Sequence, residues 1–312
     1  SAVEAGTGGF VINGVSGRDY SGDSVSMAGD VNGDGFDDLI VGAPFDDPNG
    51  SFSGASFVVF GKTDGTAIEL SDVEAGTGGF VINGVSTGDF SGFSVSSAGD
   101  VNGDGFDDLI VGAAFDDPNG SFSGASFVVF GKTDGTAIEL SDVEAGAGGF
   151  VINGVSAGDK SGYSVSSAGD VNGDGFDDLI VGARGDDPNG YYSGASFVVF
   201  GKTDGTAVEL SAVEAGTGGF VINGVSTGDE SGRSVSSAGD VNGDGFDDLI
   251  VGAFGDDPNG SSSGASFVVF GKTDGTAIEL SDVETGTGGF VINGSVYDYS
   301  GYSVSLAGDV NG

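Results

Sequence analysis

The sequence has no cysteine, no histidine and no tryptophan, and a single methionine among its 312 residues. Without cysteine there can be no disulfides and no thiol chemistry, and neither cysteine nor histidine is present to mark a catalytic centre. Apolar runs are short, as in Leu39-Ile40-Val41, whereas a membrane-spanning helix needs about 20 such residues. The sequence therefore predicts no membrane insertion.

Basic residues are also scarce: 8 lysines and arginines face 48 acidic residues, for a formal charge of −40. Such a surface repels nucleic acid and anionic lipid and attracts cations, so we expect no nucleic-acid partner. A hydrophobic fraction of 38% and an aromatic fraction of 10% separate the chain from a disordered acidic tail. The 65 glycines follow no three-residue period, which excludes a collagen-like chain.

Internal repetition is the dominant feature of the sequence. The text from Ser71 to Leu140 recurs from Ser1, Ser141 and Ser211, each time 70 residues further along. A fifth copy begins at Ser281 and is interrupted at Gly312, so we expect the chain to be a segment of a longer protein. A fixed period of this length indicates a repeat architecture.

Each unit contains four short strand signals separated by Gly, Asn and Asp turns, which we name a, b, c and d. In the first unit they are Ser24 to Ala28, Asp38 to Gly42, Ala55 to Phe60 and, from the next copy, Gly79 to Asn83. Runs such as Phe-Val-Val-Phe are apolar on both faces, as expected of a strand between neighbouring sheets. Leu70 to Glu74 is expected to form one short helical turn. The pattern predicts an all-β fold of propeller-type blades, each with four antiparallel strands, and favours it over a β-solenoid, whose repeats are normally shorter.

The predicted boundaries follow the period of the repeat. Residues 22–91, 92–161, 162–231 and 232–300 form blades 1 to 4. Residues 1–21 carry an orphan outer strand d (Gly9 to Val15), and residues 301–312 an orphan first strand a (Ser303 to Ala307), both of one incomplete blade. Unpaired strand edges template further pairing, so association with another copy of the chain is one expectation.

An Asp-rich loop connects strands a and b in every unit and reads Asp-Val-Asn-Gly-Asp-Gly-Phe-Asp-Asp. Side-chain oxygens at positions 1, 3, 5 and 9 and the carbonyl at position 7 can converge on one Ca²⁺, which takes six to eight hard oxygen ligands. The loop lacks the nitrogen and sulfur ligands that zinc and copper prefer, and its alternative interpretation is a polar hairpin without metal. The sequence predicts about one Ca²⁺ per complete repeat, with the ligands Asp30, Asn32, Asp34, Phe36, Asp38, Asp100, Asn102, Asp104, Phe106, Asp108, Asp170, Asn172, Asp174, Phe176, Asp178, Asp240, Asn242, Asp244, Phe246 and Asp248.

With these motifs the chain resembles the FG-GAP repeat of integrin α subunits and of many bacterial surface proteins. The matching text is Ser-Gly-x-Ser-Val followed by Gly-Asp-Val-Asn-Gly-Asp-Gly-x-Asp-Asp-Leu-Ile-Val-Gly-Ala. The resemblance implies Ca²⁺ in the a–b loops beneath a propeller that usually has seven blades. Two details differ from the family pattern: its Phe-Gly is Ser-Gly here, and Gly-Ala-Pro occurs only at Gly42 to Pro44.

Positions that differ between the otherwise nearly identical copies cluster in the d–a and b–c loops. In an up-and-down blade these loops lie on one face, opposite the a–b loops, and we call it the variable face. It is rich in aromatic residues and arginine, which typically anchor interfaces, although exposed loops also drift in sequence. The predicted partner-binding residues are Arg18, Tyr20, Phe52, Phe90, Phe93, Phe122, Lys160, Tyr163, Arg184, Tyr191, Tyr192 and Arg233.

These observations favour a calcium-stabilised adhesion or scaffold module at the cell surface or outside the cell, without enzymatic activity. Its partner is expected to be a protein or a glycan, or further copies of the chain. A self-assembling fibre or surface-layer subunit joined through the incomplete blade is the alternative. A glycan-active enzyme is disfavoured because the paired carboxylates recur identically in every unit. Asp46 to Gly50 is interpreted as a turn, not as a second metal site.

Overall fold

The computed structural model describes residues 2–4 and 6–308. Its strands form repeated sheets of four antiparallel strands, one for each 70-residue unit, consistent with propeller blades. Each strand is only two to nine residues long, because Gly, Asn and Asp turns interrupt the apolar runs. The prediction of an all-β repeat architecture is confirmed.

The four strand positions recur with nearly constant bounds. Strand a spans Val25–Gly29, Ser94–Gly99, Ser161–Gly169 and Ser234–Gly239, and strand b spans Asp38–Ala43, Asp108–Ala113, Asp178–Ala183 and Asp248–Ala253. Strand c spans Ala55–Val59, Ala125–Val129, Ala195–Val199 and Ala265–Val269, and strand d spans Gly79–Asn83, Gly149–Asn153, Gly219–Asn223 and Gly289–Asn293.

A fifth short strand, e, follows strand c in each repeat and was not predicted. It comprises Ile68–Glu69, Ile138–Glu139, Val208–Glu209 and Ile278–Glu279. Strand e does not join its own sheet: Ile138 pairs in parallel with Ile82, on strand d of the preceding blade. Adjacent sheets are therefore connected by strand pairing, since the outermost strand of each of blades 1 to 3 comes from the next repeat.

A one-turn helix follows each strand e, as the sequence predicts for Leu70 to Glu74. The four helices are Leu70–Glu74, Leu140–Glu144, Leu210–Glu214 and Leu280–Glu284. In the first, Leu70 and Val73 are buried and the helix packs on strands c and d of its own blade. The helix thus closes the outer rim of each blade.

The apolar core lies between adjacent blades. Ile40 and Phe80 of blade 1, for example, share one buried cluster with Leu109, Val111 and Phe127 of blade 2. Equivalent clusters join blades 2 and 3 and blades 3 and 4. A blade in this arrangement buries its two faces only against its neighbours, which is typical of repeat proteins.

The two orphan strands are shorter than predicted or absent. Strand d of the incomplete blade, predicted from Gly9 to Val15, is limited to Ile12–Asn13, which pairs only with strand e at Ile68–Glu69. The first strand predicted from Ser303 to Ala307 is wrong, since residues 303–308 carry no strand. No strand b lies beside this segment in the described part of the chain, so it is held by side chains, Val304 N–H donating to Ser234 Oγ (3.0 Å) and Leu306 N–H to Ser236 Oγ (3.3 Å). The rest of the predicted range, residues 309–312, lies outside the described residues.

Within residues 2–4 and 6–308, no helix has the length and apolar character needed to cross a membrane.

Candidate metal loops and variable face

The a–b loop wraps its polar side chains around its own backbone. In the first loop, the Asp30 carboxylate accepts hydrogen bonds from the N–H groups of Asp34 (3.0 Å) and Gly35 (2.9 Å). Asn32 Oδ1 also accepts from Asp34 N–H (2.9 Å), and Asp34 Oδ1 accepts from Phe36 N–H (3.0 Å). Gly35, at φ 90°, permits the turn after position 5. The first three predicted ligand side chains therefore lie on the inner side of one tight loop.

The last predicted side-chain ligand, Asp38, begins strand b and is fully buried. Its carboxylate accepts hydrogen bonds from the N–H groups of Val31 (3.2 Å) and Gly61 (2.8 Å). Burial raises the pKa of Asp38 to about 6, and the charges of Asp34 and Asp30 contribute to this rise. A buried carboxyl close to two others is stabilised in its charged form by a cation.

The same environment recurs in the second and third loops and is more pronounced there. Burial raises the pKa of Asp108 to about 7 and that of Asp178 to about 8, with contributions from the charges at positions 5 and 1 of each loop. Among the ion pairs of the described residues, none neutralises a predicted loop ligand. Oxygen donors without a basic neighbour are the chemistry that a hard cation requires, so the residues fit Ca²⁺.

As they stand, the loop side chains are turned toward backbone N–H groups. In residues 2–4 and 6–308 no three acidic side chains converge closely enough to hold a metal ion. Binding would therefore exchange several Asp hydrogen bonds for cation contacts. The twenty predicted metal ligands remain predictions. In each loop the predicted side-chain donors lie close together in sequence, and the residue whose carbonyl is the predicted donor at position 7 lies between them.

Adjacent loops contact each other through position 8, which the sequence analysis did not assign. Asp107 accepts a hydrogen bond from the backbone N–H of Asp30 in the preceding loop (2.7 Å). Asp177 and Asp247 repeat this contact at 2.8 Å and 3.0 Å. Because position 1 is itself a predicted ligand, position 8 of one loop fixes the start of the loop before it. The first Asp of every Phe-Asp-Asp was the available sequence signal.

Position 7 contributes to the same contact through its ring. A Cβ atom placed on Gly33 would lie 2.4 Å from the Phe106 ring, so only glycine leaves space for it. The contact recurs between Gly103 and Phe176 and between Gly173 and Phe246. Phe36, whose loop has no earlier loop beside it in the described residues, is largely exposed.

The variable face brings most of the predicted partner-binding residues together. Rings from blades 1 and 2 form a continuous network, with centroid distances of 4.8 Å for Tyr20 and Phe45, 5.2 Å for Phe45 and Phe90, and 5.6 Å for Phe52 and Phe90. The network continues through Phe115, which lies 5.2 Å from Phe90, 5.8 Å from Phe122 and 6.1 Å from Phe93. Phe45 and Phe115 were not among the predicted partner-binding residues, although both differ between the copies.

Cations join this network at blades 2 to 4. Phe93 contacts Tyr163 (5.1 Å), and the Arg184 guanidinium lies 4.1 Å from the centre of the Tyr163 ring. Arg233 lies 4.7 Å from the ring of Phe254. Lys160 lies 6.0 Å from the Phe115 ring, and Tyr191 and Tyr192 contact each other at 4.6 Å. Arg18, in contrast, is exposed and lies outside the ring network.

Two backbone positions of the variable face are left-handed in every complete repeat although they are never glycine. One lies in the b–c loop (Phe52, Phe122, Tyr192 and Ser262) and the other in the d–a loop (Tyr20, Phe90, Lys160 and Glu230), with φ between 47° and 59°. The two are joined across the face, Phe90 N–H donating to Phe52 O (3.0 Å). Each such residue costs of order 1 kcal/mol of strain, which is concentrated at functional sites in many proteins.

A second group of carboxylates lies at the outer part of this face and was missed in the sequence. It combines Asp89 with Asp116, Asp117 and Glu144, and recurs in every blade. Burial, followed by the charge of Asp116, raises the pKa of Asp89 to about 6, while its carboxylate accepts from Ser86 N–H (2.7 Å). The predicted turn at Asp46 to Gly50 belongs to this region, where Asp46 accepts from Asp47 N–H (2.9 Å).

Known proteins share these repeats. The model of the family described as FG-GAP repeat matches residues 21–59, 91–129, 161–199 and 231–269, together half of the chain. Integrin alpha pat-2 of Caenorhabditis elegans is 31% identical over 246 residues, covering 73% of this chain and 17% of its own length. Integrin alpha-7 of Mus musculus is 34% identical over 158 residues, covering 50% of this chain and 12% of its own length. Integrin alpha-5 of Xenopus laevis is 32% identical over 190 residues, covering 57% of this chain and 16% of its own length. The chain thus spans less than a fifth of each of these relatives.

Proposed function

Because the chain belongs to the FG-GAP repeat family, we propose that it is a calcium-binding adhesion or scaffold module that acts at the cell surface or outside the cell. Its a–b loops bind Ca²⁺, about one ion per complete repeat, and its variable face binds a protein or glycan partner. The observation that carries the proposal is the buried Asp38 and its copies, each subject to the charge of at least one other carboxylate of its loop and without an ion pair to a basic residue in the described part of the chain. We assign the module no catalytic role, since the paired carboxylates of its a–b loops recur identically in every complete unit.

Calcium binding would stabilise the array at its junctions. The first loop residue both donates a backbone hydrogen bond to the next blade and supplies a predicted ligand, so an ion bound there secures two blades together. A ligand that binds only the folded state stabilises it by about 2 to 3 kcal/mol per site at a hundredfold excess over Kd. Millimolar calcium outside cells suits sites of this kind.

Thermal unfolding with and without Ca²⁺, after chelation, tests the metal assignment. We expect millimolar Ca²⁺ to raise the midpoint by several degrees at least, because each occupied loop adds to stability. A variant with Asp34, Asp104, Asp174 and Asp244 changed to Ala should lose this rise. The matched control changes Asp64, Asp134, Asp204 and Asp274 to Ala, which removes the same charge from the lysine-paired c–d loops and should keep the rise. No midpoint shift in the unaltered chain would contradict calcium binding.

A self-assembling subunit is the second candidate function, favoured by the apolar side chains on the two end faces. Val25 and Met27 of blade 1 are 65% and 69% exposed, and Phe290 and Ile292 of blade 4 are also exposed. In inner blades the positions equivalent to Val25, Phe290 and Ile292 lie against a neighbouring sheet. Light scattering over a concentration series, with and without Ca²⁺, decides between the candidates: a monomer under all conditions excludes the assembling subunit.

A further inference from the structure

Two arginines of the variable face contact a single carboxylate, and a lysine lies nearby. Arg184 pairs with Glu230 at 2.5 Å, Arg233 lies 3.5 Å from the same carboxylate oxygen, and Lys160 stands near both Arg184 and Glu230. The pKa of Lys160 is lowered, first by burial and then by the charge of Arg184. The cluster therefore carries surplus positive charge on a chain whose formal charge is −40.

Aromatic rings hold the two guanidiniums in place. Arg184 lies over Tyr163, and Arg233 lies between Phe254 and Tyr302, 4.7 Å and 4.4 Å from the ring centres. The two arginine side chains are only 17% and 16% exposed, so their orientation is set by packing. Arg184 Nε is buried and has no hydrogen-bond partner among residues 2–4 and 6–308. Rigid guanidinium groups with donors to spare are suited to bind a carboxylate.

We propose that this cluster binds an Asp or Glu side chain of a polypeptide partner, one that is flanked by apolar or aromatic residues. The inference rests on the proposed role of the variable face as a binding surface and names the chemistry that the face recognises. Three of the eight basic residues lie in this cluster, while acidic groups dominate elsewhere, so a ligand needs one negative charge in a matching place. Densely charged chains such as nucleic acids or uronate polysaccharides are repelled by the remaining surface.

The surroundings of the cluster suit the apolar part of such a segment. Tyr191 is 70% exposed beside Tyr192, and Phe122 of blade 2 is also exposed. Exposed rings of this kind accommodate apolar side chains in protein interfaces, where aromatic residues and arginine carry much of the binding energy. The acidic residue would therefore contact Arg184, Arg233 and Lys160 while its neighbours pack on the rings.

A purely structural role is the competing explanation, with Glu230 and the two arginines serving only to join blades 3 and 4. Glu230→Gln separates the two explanations. If the cluster binds carboxylates, the variant frees both guanidiniums and strengthens binding severalfold. If it is structural only, the variant lowers the midpoint of unfolding and leaves binding unchanged.

The experiment selects random displayed peptides on the calcium-loaded chain and measures the affinity of a selected synthetic peptide by fluorescence anisotropy. We expect the selected peptides to share an Asp or Glu next to apolar residues. Changing that acid to its amide should weaken binding about tenfold or more, and Arg184→Gln with Arg233→Gln in the chain should do the same. Lys132→Gln, which removes a cation from a c–d loop, is the matched control and should leave the affinity unchanged.

The outcomes separate this inference from the function on which it rests. Peptides that bind the variable face, and are lost with Phe52→Ser and Phe122→Ser, but need no acidic residue, overturn the inference and leave the proposed function intact. Acid-dependent binding that persists without both arginines also overturns it. If no peptide is enriched on the folded chain, this inference is contradicted, and the proposed function retains only a glycan as the partner of the variable face.

Discussion

At the scale of single residues, the same amino acid at the same repeat position has different neighbours in different copies. Asp107, Asp177 and Asp247 each accept a hydrogen bond from the loop before them. Asp37, at the same position of the first loop, is exposed and has no earlier loop beside it in the described residues. Asp37 is therefore a natural control for measuring how much the hydrogen bond between loops contributes to stability.

We expect Asp107→Ala to lower the free energy of unfolding by about 1 to 3 kcal/mol, since it leaves the Asp30 N–H without its charged acceptor. Asp37→Ala should change stability by less than about 0.5 kcal/mol, as surface substitutions usually do. Chemical denaturation of both variants in calcium-free buffer measures the difference. Equal losses for the two variants would show that the hydrogen bond between loops contributes nothing.

Some functional residues could be predicted from the sequence and others could not. Spacing alone placed Asp30, Asn32, Asp34 and Asp38 in one loop, because a nine-residue turn between paired strands leaves the side chains few directions. It could not assign Asp107, whose partner is 77 residues away and is fixed only by how two sheets pack. The aromatic positions were found because they differ between copies, but their ring contacts cross blades and have no local signature.

At the scale of elements, strand e joins the blades along their outer rim. Glu139 at its end accepts hydrogen bonds from the side-chain amides of Asn83 (2.7 Å) and Asn49 (2.8 Å), both in blade 1. Glu209 and Glu279 repeat this arrangement at the next two junctions. Glu69, at the first junction, has only Asn13 as a partner among the described residues.

Glu139→Ala should loosen the junction of blades 1 and 2, because two Asn amides lose a charged acceptor. We expect a loss of about 1 to 2 kcal/mol and faster amide hydrogen exchange in Gly79–Asn83 and Ile138–Glu139. Glu69→Ala, with its single partner, is the matched control and should cost less. Unchanged exchange at the junction in Glu139→Ala would contradict a joining role for strand e.

The strands with a run of apolar or small residues were predictable, and the two-residue strand e was not. Strands a to d carry four to six apolar or small residues between turn signals, so their existence and order follow from the sequence. Strand e is two residues long and pairs with another repeat, so it offers no alternation to detect. The prediction of a strand at Ser303 to Ala307 was wrong for a different reason. This segment resembles strand a in sequence, but no strand b lies beside it in the described residues.

At the scale of the whole molecule, buried carboxyls make stability depend on pH. Burial, followed by neighbouring charges, raises the pKa of Asp89 and Asp159 to about 6 and that of Asp229 to about 7. An unfolded chain keeps the ordinary value of 3.8, so the folded state binds protons more tightly. The stabilisation is fully present below the unfolded pKa and is lost as the pH rises through 6 to 7.

We therefore expect the calcium-free chain to unfold at a higher temperature at pH 5 than at pH 8, by roughly 5 °C. Changing Asp89, Asp159 and Asp229 to Asn keeps an oxygen acceptor for the N–H groups of Ser86, Ser156 and Ser226 but removes the titration. The variant should be more stable than the parent chain at pH 8 and depend less on pH. A pH dependence identical in both proteins would show that other groups are responsible.

Because of strand e, one 70-residue repeat of the sequence does not correspond to one sheet of the structure. Each 70-residue copy, such as Ser71 to Leu140, supplies strands a, b and c to one sheet and strands d and e to the sheet before it. A gene duplication of one period, wherever its breakpoints fall, delivers a complete set of these links. The array can consequently lengthen by unequal recombination without any new contact having to evolve, and near-identity between copies follows from such growth as readily as from selection.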